Sequence, residues 1–449
     1  MAMPPNPNAG WRWGPFTFRL PFLHTRLLWP EFLQGLLVSA ATGLALVPVM
    51  IHFFGFTFEQ ALTCAIVHNI LITSAVVVFG EPYAPGWVTP ALPLVLAFIA
   101  SGYETPVERV QAMTALSLDF ALLVFLLGVT GLGSRLLRWM PQTLKAGIIL
   151  GAALAAFKRV FIDDAERFLL VQPVATLTAC AVALLLIFSE PFQRLIARRP
   201  GLGRLAAMGL LPGFAAAALI GPLVGEVQYD IQWGFFIPPV AETWAVASPW
   251  AVGWPSLTML LQAAPLALIT YIILFGDIVT GQAVLAEAQP QRPDEPIAQD
   301  ARRTHLSLAV RNAVMAITTP FFPTQGALWT GVHVVIVQRW RQGVQQMRSL
   351  HDGLHSYYLM GIPVVFFLLP LLTGLKPLLG IALSLTLVVT GFACAYIALA
   401  MPQRPAQRGA VLLTAAAIAF LEPWIGLSIG IAAALLLVTP DDTPETPTP

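Results

Sequence analysis

The chain has 449 residues, of which 57% are hydrophobic and 10% charged, and its net charge is +1. A soluble domain carries roughly 25% charged residues, so this composition, with a mean hydropathy of +0.76, excludes a soluble globular protein and requires lipid to solvate much of the surface. Cys64, Cys180 and Cys394 lie in apolar stretches and supply neither a disulfide framework nor a metal spacing, and no Walker or glycine-rich nucleotide loop is present, which excludes ATP as the energy source.

The first segment, 1–30, lacks a signal-peptide apolar region and carries Arg12, Arg19 and Arg26. It is expected to be an amphipathic segment resting at the cytoplasmic interface. Apolar stretches near 20 residues, the length that crosses ~30 Å of hydrocarbon, follow at about 33–54, 58–80, 84–101, 112–132, 142–161, 168–189 and 204–225. These form a first seven-span repeat over 31–225. A loop at 226–255 has no Lys or Arg. A second repeat over 256–439 has stretches at about 256–280, 304–320, 321–338, 354–373, 376–400, 408–421 and 423–439. The acidic tail 440–449 has too little apolar matter to fold and is expected to be disordered. Arg135 with Arg138, Arg194 to Arg204, Arg292 to Arg303, Arg339 to Arg348, and Arg404 with Arg408 fall on one side of this arrangement. Because short cytoplasmic loops collect basic residues, both termini are expected in the cytoplasm. Lys158, Arg159 and Arg167, offset by Asp163, Asp164 and Glu166, are exceptions, as are Arg109 and Lys376.

Two of the segments are irregular. In GEPYAPGWVTPALPLVLAF (80–98) and TPFFPTQGALWTGVHVVIV (319–337), prolines and glycine forbid regular helix in the first half. Non-helical backbone at membrane depth is tolerated only where protein or a water-filled cavity satisfies it. Pro90 and Gly326 are 236 residues apart, as are Pro141 and Pro377. An odd repeat of seven spans inverts the second copy, and paired interrupted segments in inverted halves point to a transporter's binding site. Pro90 and Gly326 are expected to start two opposed half-helices whose free N–H groups face a substrate.

Thr89, Pro90, Ala91, Phe275, Thr324, Gln325, Gly326, Ala327 and Trp329 are the expected substrate contacts. Tyr83, Trp87 and Phe322 are aromatic candidates for stacking or for plain packing. Asp277 is a carboxylate inside an apolar stretch, which is expensive unless it serves a purpose. It either exchanges a proton for coupling or braces the core by accepting hydrogen bonds. Asp119 and Arg311 are expected to form a structural ion pair, Glu81 to be a solvated residue or helix anchor, and His52, His68 and His333 to be held by structure rather than by a metal.

Three stretches resemble uracil/xanthine permeases: GLLVSAATGLALVP (35–48) their first span, LLVFLLGVTGLGSRLLRWMPQTLKAGIILGAAL (122–154) their fourth and fifth, and FGDIVTG (275–281) the Gly-Asp motif of their eighth. Sulfate permeases, benzoate transporters and bicarbonate exchangers are similar in fold. The resemblance implies a core domain of spans 1–4 and 8–11, a gate domain of spans 5–7 and 12–14, and a homodimer. It also implies a base-contacting glutamate three residues before the Gly of the eighth-span motif, where this chain has Ile273, and an acidic or amide residue near 325–329, where only Gln325 is strongly polar. Half-helix dipoles without those carboxylates suit an anion better than a nucleobase.

The expectation is therefore an all-α integral membrane protein of fourteen transmembrane segments in a bacterial inner membrane. It would be a gradient-driven transporter of a small anion or planar organic acid, coupled to a proton or sodium. A nucleobase permease and an anion channel or membrane sensor are the alternatives. No enzymatic activity, cofactor, metal or nucleic-acid partner is expected.

Overall fold

The structure, a computed structural model, describes residues 10–39, 43–133, 135–136, 140–199, 202 and 208–438. The tail predicted to be disordered lies outside them.

Within the N-terminal segment, residues 11–18 form a β-hairpin. β1 (Trp11–Trp13) pairs antiparallel with β2 (Phe16–Phe18), and Gly14, at φ 54°, makes the two-residue turn that Trp13–Gly14–Pro15–Phe16 encodes. The hairpin is tied to the end of the second span: Trp13 Nε1 donates to the Val78 carbonyl at 2.9 Å and Arg19 N to Val77 at 2.8 Å.

The helices follow in chain order. The first expected span is interrupted, giving α1 (Trp29–Val38) and α2 (Val47–Phe54). α3 (Phe58–Val77) starts at a Thr57/Gln60 capping box, and α5 (Pro106–Thr130) at a Thr105/Glu108 box. In each box the hydroxyl and the carboxyl or amide side chain satisfy first-turn N–H groups. Between them, residues 81–88 are extended, Thr89–Ala91 is a single 3₁₀ turn, and α4 (Leu92–Gly102) is too short to cross a bilayer alone. α6 (Gln142–Lys158), α7 (Pro173–Phe188), α8 (Glu190–Arg198) and α9 (Leu211–Leu223) complete the first half. The loop expected at 226–255 carries two short helices, α10 (Val240–Ala247) and α11 (Pro249–Val252).

The second half holds α12 (Leu257–Ala288), α13 (Ala301–Thr318), a non-helical stretch at 319–329 that turns at 322–323 and is extended after it, and α14 (Thr330–Trp340). α15 (Leu350–His355) continues through a π-helical turn at Ser356–Gly361 into α16 (Ile362–Val365). The chain breaks there, and α17 (Leu369–Leu375) runs on into α18 (Leu379–Ala400). The break in the helix thus falls at 366–368, where Phe236 N donates to the Phe367 carbonyl at 3.0 Å, and not near 374 as the apolar stretches suggest. α19 (Pro405–Phe420) and α20 (Pro423–Leu436) close the chain.

Among the described residues four helices are long and apolar enough to cross a membrane unaided: Phe58–Val77, Pro106–Thr130, Leu257–Gln291 and Leu369–Ala400. The other apolar segments are broken or short, because tertiary contacts replace the helical hydrogen bonds that Pro and Gly remove. α13 packs along α5, and α12 also lies on α5. In a separate group, α6 packs on α18 and α19, α19 on α20, and α7 on α9. Gly151 of α6 lets α19 approach so closely that a Cβ there would sit 2.8 Å from Ile418 Cβ, the small-residue device of membrane helix pairs.

Candidate functional site

The two extended segments lie side by side and satisfy each other. Val88 N donates to Pro323 O at 2.9 Å, Gly326 N to Gly86 O at 2.8 Å, and Trp329 N to Ala84 O at 2.7 Å. This crossing answers the requirement that non-helical backbone at membrane depth find partners within the protein. Tyr358 Oη adds a bond to the Pro85 carbonyl at 2.6 Å.

The crossing also corrects one start. Gly326 is not the first residue of a half-helix; it sits within the extended segment with its N–H already bonded to Gly86. Strand-like pairing lasts until Trp329, so α14 begins at Thr330, with its first helical bond from His333 N to Trp329 O at 2.9 Å. Neither half-helix start carries a side-chain cap; at α14 the N–H groups of Thr330 and Gly331 have no described partner and are available to a ligand, whereas at the other start Pro90 has no N–H and Ala91 N is spent on Val88 O at 2.9 Å. Thr89 and Pro90 do mark the other start.

A cavity of about 360 Å³ opens between the two starts and α18. Of the expected contacts, Thr89, Pro90, Thr324, Trp329 and Asp277 line it. Ala91, Phe275, Gln325, Gly326 and Ala327 do not. Gln325 is wholly buried behind the wall, where its Nε2 donates to the His68 carbonyl at 3.1 Å and its Oε1 accepts from Arg311 at 3.4 Å. Arg311 also donates to Gly326 O at 3.0 Å. The expected Asp119–Arg311 ion pair is therefore absent: Arg311 is occupied by acceptors that the broken segment exposes, and Asp119 Oδ2 has no hydrogen-bond partner. Glu81 is not a solvated residue either: it is buried, Thr304 Oγ1 donates to it at 2.8 Å, and Arg303 forms an ion pair with it at 3.4 Å. His68 is held as expected, its Nε2 on Thr319 O at 2.7 Å, and its ring forms part of the cavity wall.

Sequence reading missed several lining groups. Asn69 on α3 is 9% exposed and makes no hydrogen bond to the described residues. An amide in the middle of an apolar span was the available signal. Thr330 and Gly331 start α14, and Thr386 and Thr390 come from α18. Asp277 lines the same cavity, makes no hydrogen bond or ion pair to the described residues, and neighbours Cys394. Apart from Ser39, the rest of the wall is apolar or aromatic, with Trp87, Trp329 and Phe366 prominent. No lysine or arginine belongs to it among the described residues.

No protein-family model matches the chain. The benzoate membrane transport protein of Acinetobacter baylyi is 25% identical over 369 residues, covering 81% of this chain and 82% of that protein. Among solved structures, the transmembrane domain of the cyanobacterial bicarbonate transporter BicA matches 91% of this chain and 99% of its own, with a TM-score of 0.50 and 12% identity. The murine solute carrier 26 family member A9 anion transporter, in its inward-facing state, matches 91% of this chain and 68% of its own with a TM-score of 0.48 and 15% identity. The chain is an integral membrane protein whose fold is that of a membrane transporter of the BicA kind.

Proposed function

We infer that the protein is a secondary transporter of planar organic acids, an aromatic ring bearing one carboxylate being the best fit. The observation that carries this is the cavity itself: two uncapped half-helix starts face a wall that is apolar and aromatic and holds no fixed cation. A small, strongly hydrated oxyanion entering such a site loses water and gains only partial dipole charge. An aromatic acid recovers about 25 cal/mol for each Å² of ring buried, and its carboxylate accepts from the free N–H groups. The benzoate transport protein among the chain's relatives agrees with this choice.

Asp277 supplies coupling in this reading. It is the one acidic group in the described cavity wall and has no partner to hold it ionised, so loading it with a proton compensates the cargo's charge. Alternating access follows when the group built from α1–α5 and α12–α16 carries the site past the group built from α6–α9 and α17–α20. Fourteen membrane segments in two inverted repeats, both termini in the cytoplasm of a bacterial inner membrane, and a homodimer complete the reading.

Binding to the purified protein tests the cargo class. Isothermal titration is expected to show saturable binding of benzoate and related aromatic acids and none of bicarbonate, sulfate or uracil. Binding of an inorganic oxyanion or nucleobase with no aromatic acid bound would overturn the assignment.

A further inference from the structure

A second cleft, also about 360 Å³, lies apart from the transport cavity, where the starts of α6 and α19 meet the chain leaving α18. Its lining is mainly polar and shares no residue with the transport cavity. Gln142, Thr143, Gln403, Arg404 and Gln407 form most of it, and none of its described lining residues is acidic.

Each feature of this cleft has the same sign. α6 and α19 are 17 and 16 residues long, pack against each other, and both present their N-termini here. Two positive dipole ends side by side repel each other unless an anion lies between them. α6 begins at Pro141, which provides no side-chain cap, so its first-turn donors stay open. Thr143 is 5% exposed, lines the cleft and makes no hydrogen bond to the described residues. Gln407 is 9% exposed and spends its Oε1 on the N–H groups of Gln403 and Arg404, at 2.9 and 3.0 Å, leaving its Nε2 without a described partner. Both side chains reach the cleft with donor capacity to spare, and the exposed Arg404 brings a positive charge to the same lining.

We propose that this cleft is a binding site for an oxyanion of the phosphate type, supplied either by a soluble phosphate or by the headgroup of an anionic phospholipid. Because α18 walls the transport cavity on one side and leads into this cleft through Met401 and Pro402, an anion held here braces α6, α18 and α19 as one unit behind that wall. The proposal does not rest on the identity of the transported cargo.

Thermal unfolding of the purified full-length protein tests it. In uncharged detergent at fixed ionic strength, inorganic phosphate is expected to raise the unfolding midpoint saturably. In nanodiscs, phosphatidylglycerol is compared with phosphatidylcholine. A shift with phosphate assigns a soluble source, and a shift with phosphatidylglycerol alone assigns the headgroup; either supports the site. Thr143→Val and Arg404→Gln are expected to raise the half-saturating phosphate or lipid concentration about tenfold or more, whereas Thr143→Ser keeps the hydroxyl and the response. A cooperative unfolding transition without phosphate, at the midpoint of the parent, serves as the folding check for each variant. No shift with either source, or a shift of equal size in Thr143→Val and Arg404→Gln, overturns the proposal.

Discussion

The crossing of the two extended segments depends on glycine at two facing positions. A Cβ on Gly326 would lie 2.6 Å from the Gly86 carbonyl oxygen and 3.0 Å from Val88 Cγ2, and a Cβ on Gly86 would lie 2.8 Å from Trp329 Cβ. Restoring ordinary van der Waals contact in Gly326→Ala moves the segments apart by roughly 0.8 Å, which carries the Gly326–Gly86 bond beyond hydrogen-bonding range. Loss of one buried backbone bond costs about 1–3 kcal/mol. Overpacking costs a similar amount, so the variant is expected to be about 2–6 kcal/mol less stable and to lose binding at both half-helix starts. Gly276→Ala is the control, since nothing lies within 4 Å of a Cβ there, and it is expected to be neutral or slightly stabilising. Thermal unfolding in detergent, with benzoate titrated into each folded variant, reads both effects. Gly326→Ala with the stability and affinity of the parent would refute the paired-segment reasoning.

Three further outcomes follow from the same geometry. Asp277→Asn is expected to keep cargo binding and counterflow while removing the pH-gradient dependence of uptake, measured in proteoliposomes at imposed gradients; uptake that still tracks the gradient would exclude Asp277 as the proton carrier. Trp329→Ala is expected to weaken aromatic-acid affinity about two- to tenfold, the range of an aromatic contact, and to leave stability nearly intact if Trp329 serves the cargo; calorimetry and unfolding separate the two effects. Arg311→Met strands the acceptors on Gly326 and Gln325 and is expected to cost about 1–3 kcal/mol, with no coupling to Asp119→Asn in a double-mutant cycle, because the two side chains do not meet; a coupling above about 0.5 kcal/mol contradicts the arrangement.

The broken segments were readable because Pro82, Pro85, Pro90, Pro320 and Pro323 remove helical donors wherever they stand. The start of α14 was misplaced by four residues for a physical reason. Pro and Gly density marks where helix is forbidden, whereas the end of the extended segment is set by pairing with residues 84–88, far away in sequence. Two charges in apolar surroundings, Arg311 and Asp119, read from sequence as a pair, yet the Gly326 carbonyl and Gln325 amide that hold Arg311 reach it only once the segment is broken. The hairpin was legible in principle: Trp11, Arg12 and Trp13 followed by Gly-Pro and a second aromatic pair is a strand–turn–strand pattern. Asn69 and the α18 threonines reach the cavity through tertiary packing alone, and short apolar spans give little periodicity from which to read a facing side.

The most direct test of the transport reading is counterflow in proteoliposomes preloaded with unlabelled benzoate. The account predicts saturable, transient accumulation of external labelled benzoate, competed by other aromatic acids and untouched by bicarbonate or sulfate. Absence of benzoate counterflow beside robust exchange of bicarbonate or sulfate would contradict it.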